Sequence, residues 1–339
     1  MNKFEIAEQK ILALLASGKF RKGDKLPSEY VLSEEFDMNR ATVSKAVSSL
    51  IVKGVLKRAE RSRQGTIICK TGNFPKGTLF FLSTNFYLYE MEVFKGFQAA
   101  AFANGYMTWC LVPHIDDLSK VLGTIGELAP AGICTNVKFP SFSVPCVYFD
   151  VLDLLPDPAY ENSVNSDAYN GGEMIADYLI AEGKTDFIYI TSGMKPGSMG
   201  RYAGFLSRMK PLGVRKLGER VAPPCFNSIN PCRVRLQLMK KRFPNFNAIV
   251  CHSDFAAFEC YKAALELGWD LEKIRITGFG HIREVEKNVH FPTIEEHHYH
   301  TGARACEKLI EQLEKRENAN FERELLSVEF IPPGNKLYK

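Results

Sequence analysis

Several groups capable of chemistry stand close together in this chain. His252, Ser253 and Asp254 bring together the side-chain types of a nucleophilic triad. Adjacent residues on one extended turn point in different directions, and the Gly-x-Ser-x-Gly elbow is absent, so acyl transfer is not expected there. His297, His298 and His300 offer imidazoles, two of them at a helical i, i+3 spacing. A tetrahedral metal needs further Cys or His ligands at a defined spacing, and no second cluster supplies them. The triplet therefore reads as a hinge or surface loop, and no metal or other cofactor is expected. Gly278-Phe279-Gly280 lacks the remaining glycines of a phosphate-cradling loop. These patterns argue against an enzyme.

The remaining reactive set is cationic, and helices and a hairpin must position it. Gly23-Asp24 is a turn pair, Pro27 suits a helix approach, and Ser28 can cap a helix starting at Glu29. Phe36-Asp37-Met38 ends that helix, and Asn39 can cap the next. Val43, Ala46, Val47, Leu50 and Ile51 then form one apolar stripe, which leaves Arg40, Ser44, Lys45 and Ser48 on the open side. Gly54 is placed to end this helix in a left-handed conformation. Val55–Arg58 and Gly65–Ile68 read as two short strands around a tip rich in arginine, with Arg58, Arg61 and Arg63. Residues 1–70 hold 14 Lys+Arg against 8 Asp+Glu, which leaves 29 against 31 for the rest of a chain of net charge +4. A basic excess confined to one helix-and-hairpin unit fits a phosphate backbone, and a helix of this size fits a major groove. Arg40, in the first turn, is placed to meet guanine or phosphate.

GDKLPSE, NRATVSKAVSSL, KGVL and QGT occur in order at fixed spacing, and in this the segment resembles the winged helix-turn-helix of the GntR family of bacterial regulators. The resemblance covers about the first 70 residues. It implies that Arg40 and Thr42 contact operator DNA, that Ser28 lies near a phosphate, and that Gly65 sits at a wing near the minor groove. Tyr30 and Ser44 stand where family members often carry Arg or Glu and usually Arg, so the operator sequence does not follow from the resemblance.

The 339 residues support more than one domain, and a hydrophobic fraction of 45% is ample for packed cores. No apolar run is long enough for a membrane span, and the opening MNKFEIAEQKILALLASG reads as an amphipathic helix rather than a signal peptide. Nine cysteines without CxxC spacing suggest reduced, mostly buried thiols in a cytoplasmic protein. Residues 70–77 form a turn-rich linker. Beyond it, Thr78–Ser83, Tyr106–Val112, Phe187–Ile190, Ala248–Cys251 and Ile274–Thr277 read as strands. Residues from Val93 to Gly105, Gly172 to Glu182 and Phe255 to Leu267 read as helices. Such alternation implies parallel α/β layers, whose ligands bind beyond the carboxyl ends of the strands. The residues to watch are therefore 85–90, Asn136, 192–201, 252–254 and 278–281.

Those segments carry a second resemblance. TLFFLSTNFYLYEMEVFKGFQAAAFANGY, VNSDAYNGGEMIADYLIAEGKTDFIYITS, the Arg201–Phe205 segment RYAGF, AIVCHSDFAAFECYKAALELG, ITGFGH and FPTIEEHHYHTGARACEKL are similar in order and spacing to LacI/GalR effector domains. This covers roughly residues 78–335, and the combination resembles the arabinose-utilisation repressors of Gram-positive bacteria. The resemblance implies an α/β fold: a winged helix-turn-helix at 1–69, the linker, and at 78–339 a bilobed periplasmic-binding-protein-like domain with two parallel α/β sheets. Lobe 1 is expected at about 78–151 and 294–318, and lobe 2 at about 152–290 and 322–335. It further implies a homodimer on double-stranded operator DNA and a sugar or related effector held by Arg201 and Asp254, whose donors and acceptors suit vicinal diols. Phe86, Tyr87 and Tyr89 are candidate stacking faces. The family usually has Asp after Gly-Phe. Here Gly280 and His281 follow Phe279, so His281 or Glu90 replaces that acceptor or the ligand differs. A repressor of carbohydrate-utilisation genes is expected. An activator of the same build, or a sugar-binding protein or enzyme with a basic appendage, is the alternative.

Overall fold

The computed structural model describes residues 3–59, 65–72, 75–84, 86–137, 144–151, 162–191, 196–223, 229–314 and 322–334. Helices α1 (Lys3–Ala16), α2 (Glu29–Phe36) and α3 (Arg40–Val52) are followed by strands β1 (Leu56–Arg58) and β2 (Thr66–Ile68). Both expected caps form: Ser28 Oγ accepts from the Val31 N–H at 3.2 Å, and Asn39 Oδ1 from the Ala41 N–H at 2.8 Å. Asp37 closes α2 in the left-handed region at φ 52°, and Gly54 follows α3 at φ 66°. Val43, Ala46, Val47 and Leu50 are fully buried against Ala7, Ile11 and Leu15 of α1 and Leu32 of α2. Burying each Val or Leu there contributes about 1.5–3 kcal/mol. The hairpin is antiparallel, with Leu56 opposite Ile68, and Lys25 pairs beside Ile67 as a short third edge.

The rest of the chain is built on two parallel sheets. The first collects β3 (Thr78–Leu82), β4 (Met107–Leu111), β5 (Gly132–Thr135), β6 (Cys146–Phe149) and β7 (Ser163–Ser166). Helices α4 (Leu88–Ala103) and α5 (Leu118–Leu128) lie between its strands in sequence. After α6 (Ala168–Ala181), the second sheet is laid down as β8 (Phe187–Ile190), β9 (Val221–Ala222), β10 (Ala248–Cys251) and β11 (Arg275–Thr277). Its helices are α7 (Pro196–Met209), α8 (Ile229–Arg242), α9 (Asp254–Glu266) and the short α10 (Arg283–Glu286). The chain closes with β12 (Thr293–Glu295), α11 (His298–Glu314), β13 (Glu324–Leu326) and β14 (Glu329–Ile331). The first sheet runs β13-β7-β6-β5-β3-β4 and the second β11-β10-β8-β9, while β12 and β14 pair antiparallel. Each sheet has apolar clusters on both faces. Those of the first involve α4 and α11 on one side and α5 on the other; those of the second involve α6 and α7, then α8 and α9.

The lobe boundaries differ from the expected ones. Residues 163–166 and 324–326, assigned from sequence to lobe 2, hydrogen-bond into the first sheet through the β6–β7 and β7–β13 pairs. The chain therefore crosses between the sheets at 166–168, again at 295–298 and again at 326–329. Strand β7 is hard to see in sequence because SVNS is polar although all four residues are buried. Its polar side chains find partners: Asn165 donates to Ser163 Oγ at 2.9 Å and accepts from the Val151 N–H at 2.8 Å, while Ser166 reaches Glu296, 130 positions away.

In each lobe a helix pair crosses on reciprocal glycines. A Cβ on Gly96 of α4 would lie 1.8 Å from Tyr299 O, and one on Gly302 of α11 would lie 1.8 Å from Val93 O. In lobe 2, Gly172 of α6 and Gly204 of α7 approach Arg201 O and Tyr169 O as closely. The second crossing fixes the backbone at Arg201, a side chain of the site described next. None of the described helices is long and apolar enough to cross a membrane.

Candidate functional sites in the head and between the lobes

In the head, the first turn of α3 and the outer face of α2 are open. Arg40, Lys45 and Ser48 are exposed, Thr42 and Ser44 are partly so, and Tyr30 is 61% exposed. Ser28 is exposed beside its cap bond, at the positive end of α2, where a phosphate is favoured. Gly65 adopts φ 82°, and a Cβ there would meet Lys25 Cε at 2.7 Å, so a lysine not singled out from sequence stands at the wing. Arg58 is less free than expected: it lies within β1 and donates to Thr66 Oγ1 and Glu29 Oε1. Arg61 and Arg63 fall outside the described residues.

Between the lobes, one constellation forms where the strand ends and the crossings converge. Arg201 on α7 places Nη2 at 2.8 Å from both oxygens of Glu296, and its Nη1 donates to His252 O at 2.7 Å. Its guanidinium stacks on Phe279 at 4.1 Å. Ser166, the last residue of β7, donates to Glu296 Oε1 at 2.9 Å, and His298 Nε2 is 3.8 Å from Glu296 Oε2. Tyr89 on α4 packs edge-on against His298 at 4.8 Å and hydrogen-bonds Asp150, the residue after β6. Glu296 is 2% exposed and Arg201 14%. Burial opposes ionisation of both, but their mutual attraction prevails: Glu296 is held below, and Arg201 above, its ordinary range. Asp150 is raised, first by burial and then by Glu296, against the opposing pull of Arg201 and His298.

Asp254 and His281, expected to share a ligand with Arg201, belong to a second group. Asp254 Oδ1 accepts from Thr293 at 2.6 Å and Oδ2 from the Ile282 N–H at 2.7 Å, so it ties the start of α9 to β12 and to the residue before α10. Burial raises its carboxyl despite these bonds. His281 adopts φ 45°, with Nδ1 2.8 Å from Glu295 Oε2 and Nε2 3.4 Å from Glu286 Oε1. Asp254 and His281, with Val285, His290, Phe291 and Pro332, line a cavity of about 120 Å³. Burial disfavours the His281 imidazolium, but Glu295 and Glu286 outweigh it and raise His281 above 6.5. A raised histidine adds stability that is complete below its ordinary pKa and is lost as pH rises through the folded value. The melting temperature is therefore expected to decline as pH is taken upward from about 6.5, and His281→Gln is expected to flatten that slope in a calorimetric pH series.

The other expected contacts are spread around the first constellation. Phe86 is 36% exposed beside Phe94. Glu90 is buried and accepts from the Tyr87 N–H at 2.9 Å, which caps α4. Asn136 follows β5, and its Oδ1 has no hydrogen-bond partner among the described residues. Asp150, Ser166 and Glu296 were not foreseen. The strand-end rule would have found Asp150 had Cys146–Phe149 been read as a strand. Glu296 carries only the weak signal of an acidic pair before three histidines.

Comparison with known proteins agrees with both halves. Residues 4–68 match the family described as bacterial regulatory proteins, gntR family, and residues 176–332 match the periplasmic binding protein-like domain. The transcription regulator GntR from Chromobacterium violaceum superposes with a TM-score of 0.66 at 18% identity, over 76% of this chain and 98% of that one. The Escherichia coli transcriptional repressor ascG gives 0.64 at 18% identity, over 77% and 99%. The transcriptional regulator CelR, solved in complex with cellobiose, gives 0.67 at 13% identity, over 92% and 100%.

Proposed function

We infer that this chain, a transcription regulator of GntR/LacI architecture and not an enzyme, is a cytoplasmic repressor of carbohydrate-utilisation genes controlled by a sugar. Two heads of a homodimer sit on a pseudo-palindromic operator with matching half-sites. Arg40, Thr42, Ser44 and Lys45 enter the major groove, Ser28 meets a phosphate, and Gly65 sits at a wing near the minor groove, with Arg61 and Arg63 as further DNA contacts. The effector enters between the lobes, with Arg201, Tyr89, Glu90, Asn136 and Phe86 around it. Asp254 and His281 act from the neighbouring group. The observation that carries this reading is the buried Arg201–Glu296 pair, which gathers α7, β7 and the crossing before α11 at one point. A ligand there favours one lobe arrangement over another, and only that difference in affinity can change the grip on DNA. The sugar class draws support from the CelR complex, and the sign of regulation from the ascG repressor.

The test is an operator-binding titration. Full-length protein is expected to bind the DNA upstream of its own gene, and one sugar from a panel is expected to release it. Tight operator binding that no sugar changes would sink the effector half of the reading. Loss of reporter expression on deleting the gene would reverse the sign to an activator.

A further inference from the structure

The segment before α2 is laid along the free edge of β2 and brings a cation to the wing. The Gly23 N–H donates to Ile68 O at 2.8 Å, the Ile68 N–H to Asp24 O at 2.9 Å, and the Leu26 N–H to Thr66 O at 2.9 Å. Lys25 and Lys57 both stand opposite Ile67, one on each side of it. Side chains opposite one another in an antiparallel ladder share a face, and successive ones alternate. Leu26, Leu56 and Ile68 are buried in the core of the head, so Lys25, Ile67 and Lys57 face outward, and both lysines are exposed.

The two lysines differ in what lies beside them. A Cβ on Gly65 would lie 2.7 Å from Lys25 Cε, 3.5 Å from Nζ and 3.8 Å from Cδ. The Lys25 stem therefore runs over the bare backbone of Gly65, two positions from Ile67 toward the end of the hairpin. There the Ala59 N–H donates to Gly65 O at 3.0 Å. The ammonium is held at the wing with part of its rotamer freedom already restricted. Nearby cations are engaged elsewhere: Lys53 meets Glu8, and Arg58 donates to Glu29 and Thr66. Among the described residues no carboxylate pairs with Lys25, and Asp24 beside it accepts from the Arg21 N–H at 2.7 Å.

We propose that Lys25 is a DNA contact: laid across Gly65, it sets its ammonium on a phosphate of the strand beside the wing, and the missing side chain at Gly65 keeps that path open. The proposal rests on the reading of the head as the DNA-binding unit. A phosphate contact positions a protein on the duplex and carries no base preference of its own. A lysine suits that role as a compact point charge on a flexible stem.

The test is fluorescence anisotropy with full-length protein, on the DNA upstream of its own gene and on a scrambled duplex of equal length. Lys25→Gln keeps most of the stem and removes the charge. It is expected to weaken both complexes about fivefold and to reduce the slope of log affinity against log salt by about 1, with the melting temperature unchanged. Lys57→Gln removes the same charge from the same face without the Gly65 seat, and is expected to change either complex by less than about twofold. Gly65→Ala puts a Cβ in the lysine's path but also adds strain at positive φ. That strain is common to both backgrounds, so a cycle with Lys25→Ala removes it, and the Gly65→Ala loss is expected to be about fivefold smaller in the Lys25→Ala background. Equal losses from Lys25→Gln and Lys57→Gln would reduce the effect to general charge and overturn the proposal. So would a Lys25→Gln loss confined to the upstream duplex, which is a base contact. A lower melting temperature with affinity intact would make the lysine a strut of the wing and overturn it too. Strict additivity in the cycle would strike the role of Gly65. If wild type binds neither duplex, the reading of the head itself falls, and the proposal with it.

Discussion

Arg201→Met is expected to cost the sensor domain about 3–5 kcal/mol and to abolish any effect of sugar on DNA binding. The guanidinium is the partner of a carboxylate only 2% exposed, and removing it leaves Glu296 with Ser166 and a histidine at 3.8 Å. It also strips a donor from His252 O and a cation from the Phe279 face. An uncompensated buried charge is what makes such single changes severe. For a domain of this size the loss corresponds to about 6–20 °C in melting temperature, measurable by calorimetry. The double variant Arg201→Met, Glu296→Leu separates stability from function. It removes both charges, so much of the stability is expected to return. The sugar response is not expected to return with it. A single variant that loses less than about 1 kcal/mol would show that the pair is solvated and not a structural tie.

Arg40→Ala is expected to weaken operator binding by about 1–3 kcal/mol, roughly 5- to 150-fold, without moving the melting temperature. The side chain is exposed in the first turn of α3, and the Asn39 cap beside it is untouched by the change, so folding has little to lose. Fluorescence anisotropy on the upstream DNA and on a scrambled duplex reads where the contact lies. A base contact weakens only the specific complex. A phosphate contact weakens both and reduces the slope of log affinity against log salt by about 1. Unchanged affinity on both duplexes would remove Arg40 from the interface.

The head could be read from sequence because its signals are local. Ser28, Asn39 and the stripe from Val43 to Leu50 each act within a few residues, and the charge excess is a simple count. Strands β8 and β10 were equally plain, as continuous apolar runs buried on both faces. The interlobe site was not, because its contacts are long-range. Glu296 meets Arg201 across 95 positions and Ser166 across 130. Nothing near Glu296 in sequence distinguishes it from Glu295, which instead holds His281. Strand-end reasoning could name Arg201 and Asp254, but it could not show that the carboxylate of one is spent on Thr293 while the other has an internal partner.

Among the described residues, the apolar cluster of the head draws its buried members from Ala7 to Ile68 and none from the lobes. A unit that completes its own core can be exchanged without repacking its neighbour. Recombination near residue 70 would join this head to a different C-terminal domain, or this C-terminal domain to a different head. One such event would give a new pairing of head and C-terminal domain, with neither half having to evolve its packing again.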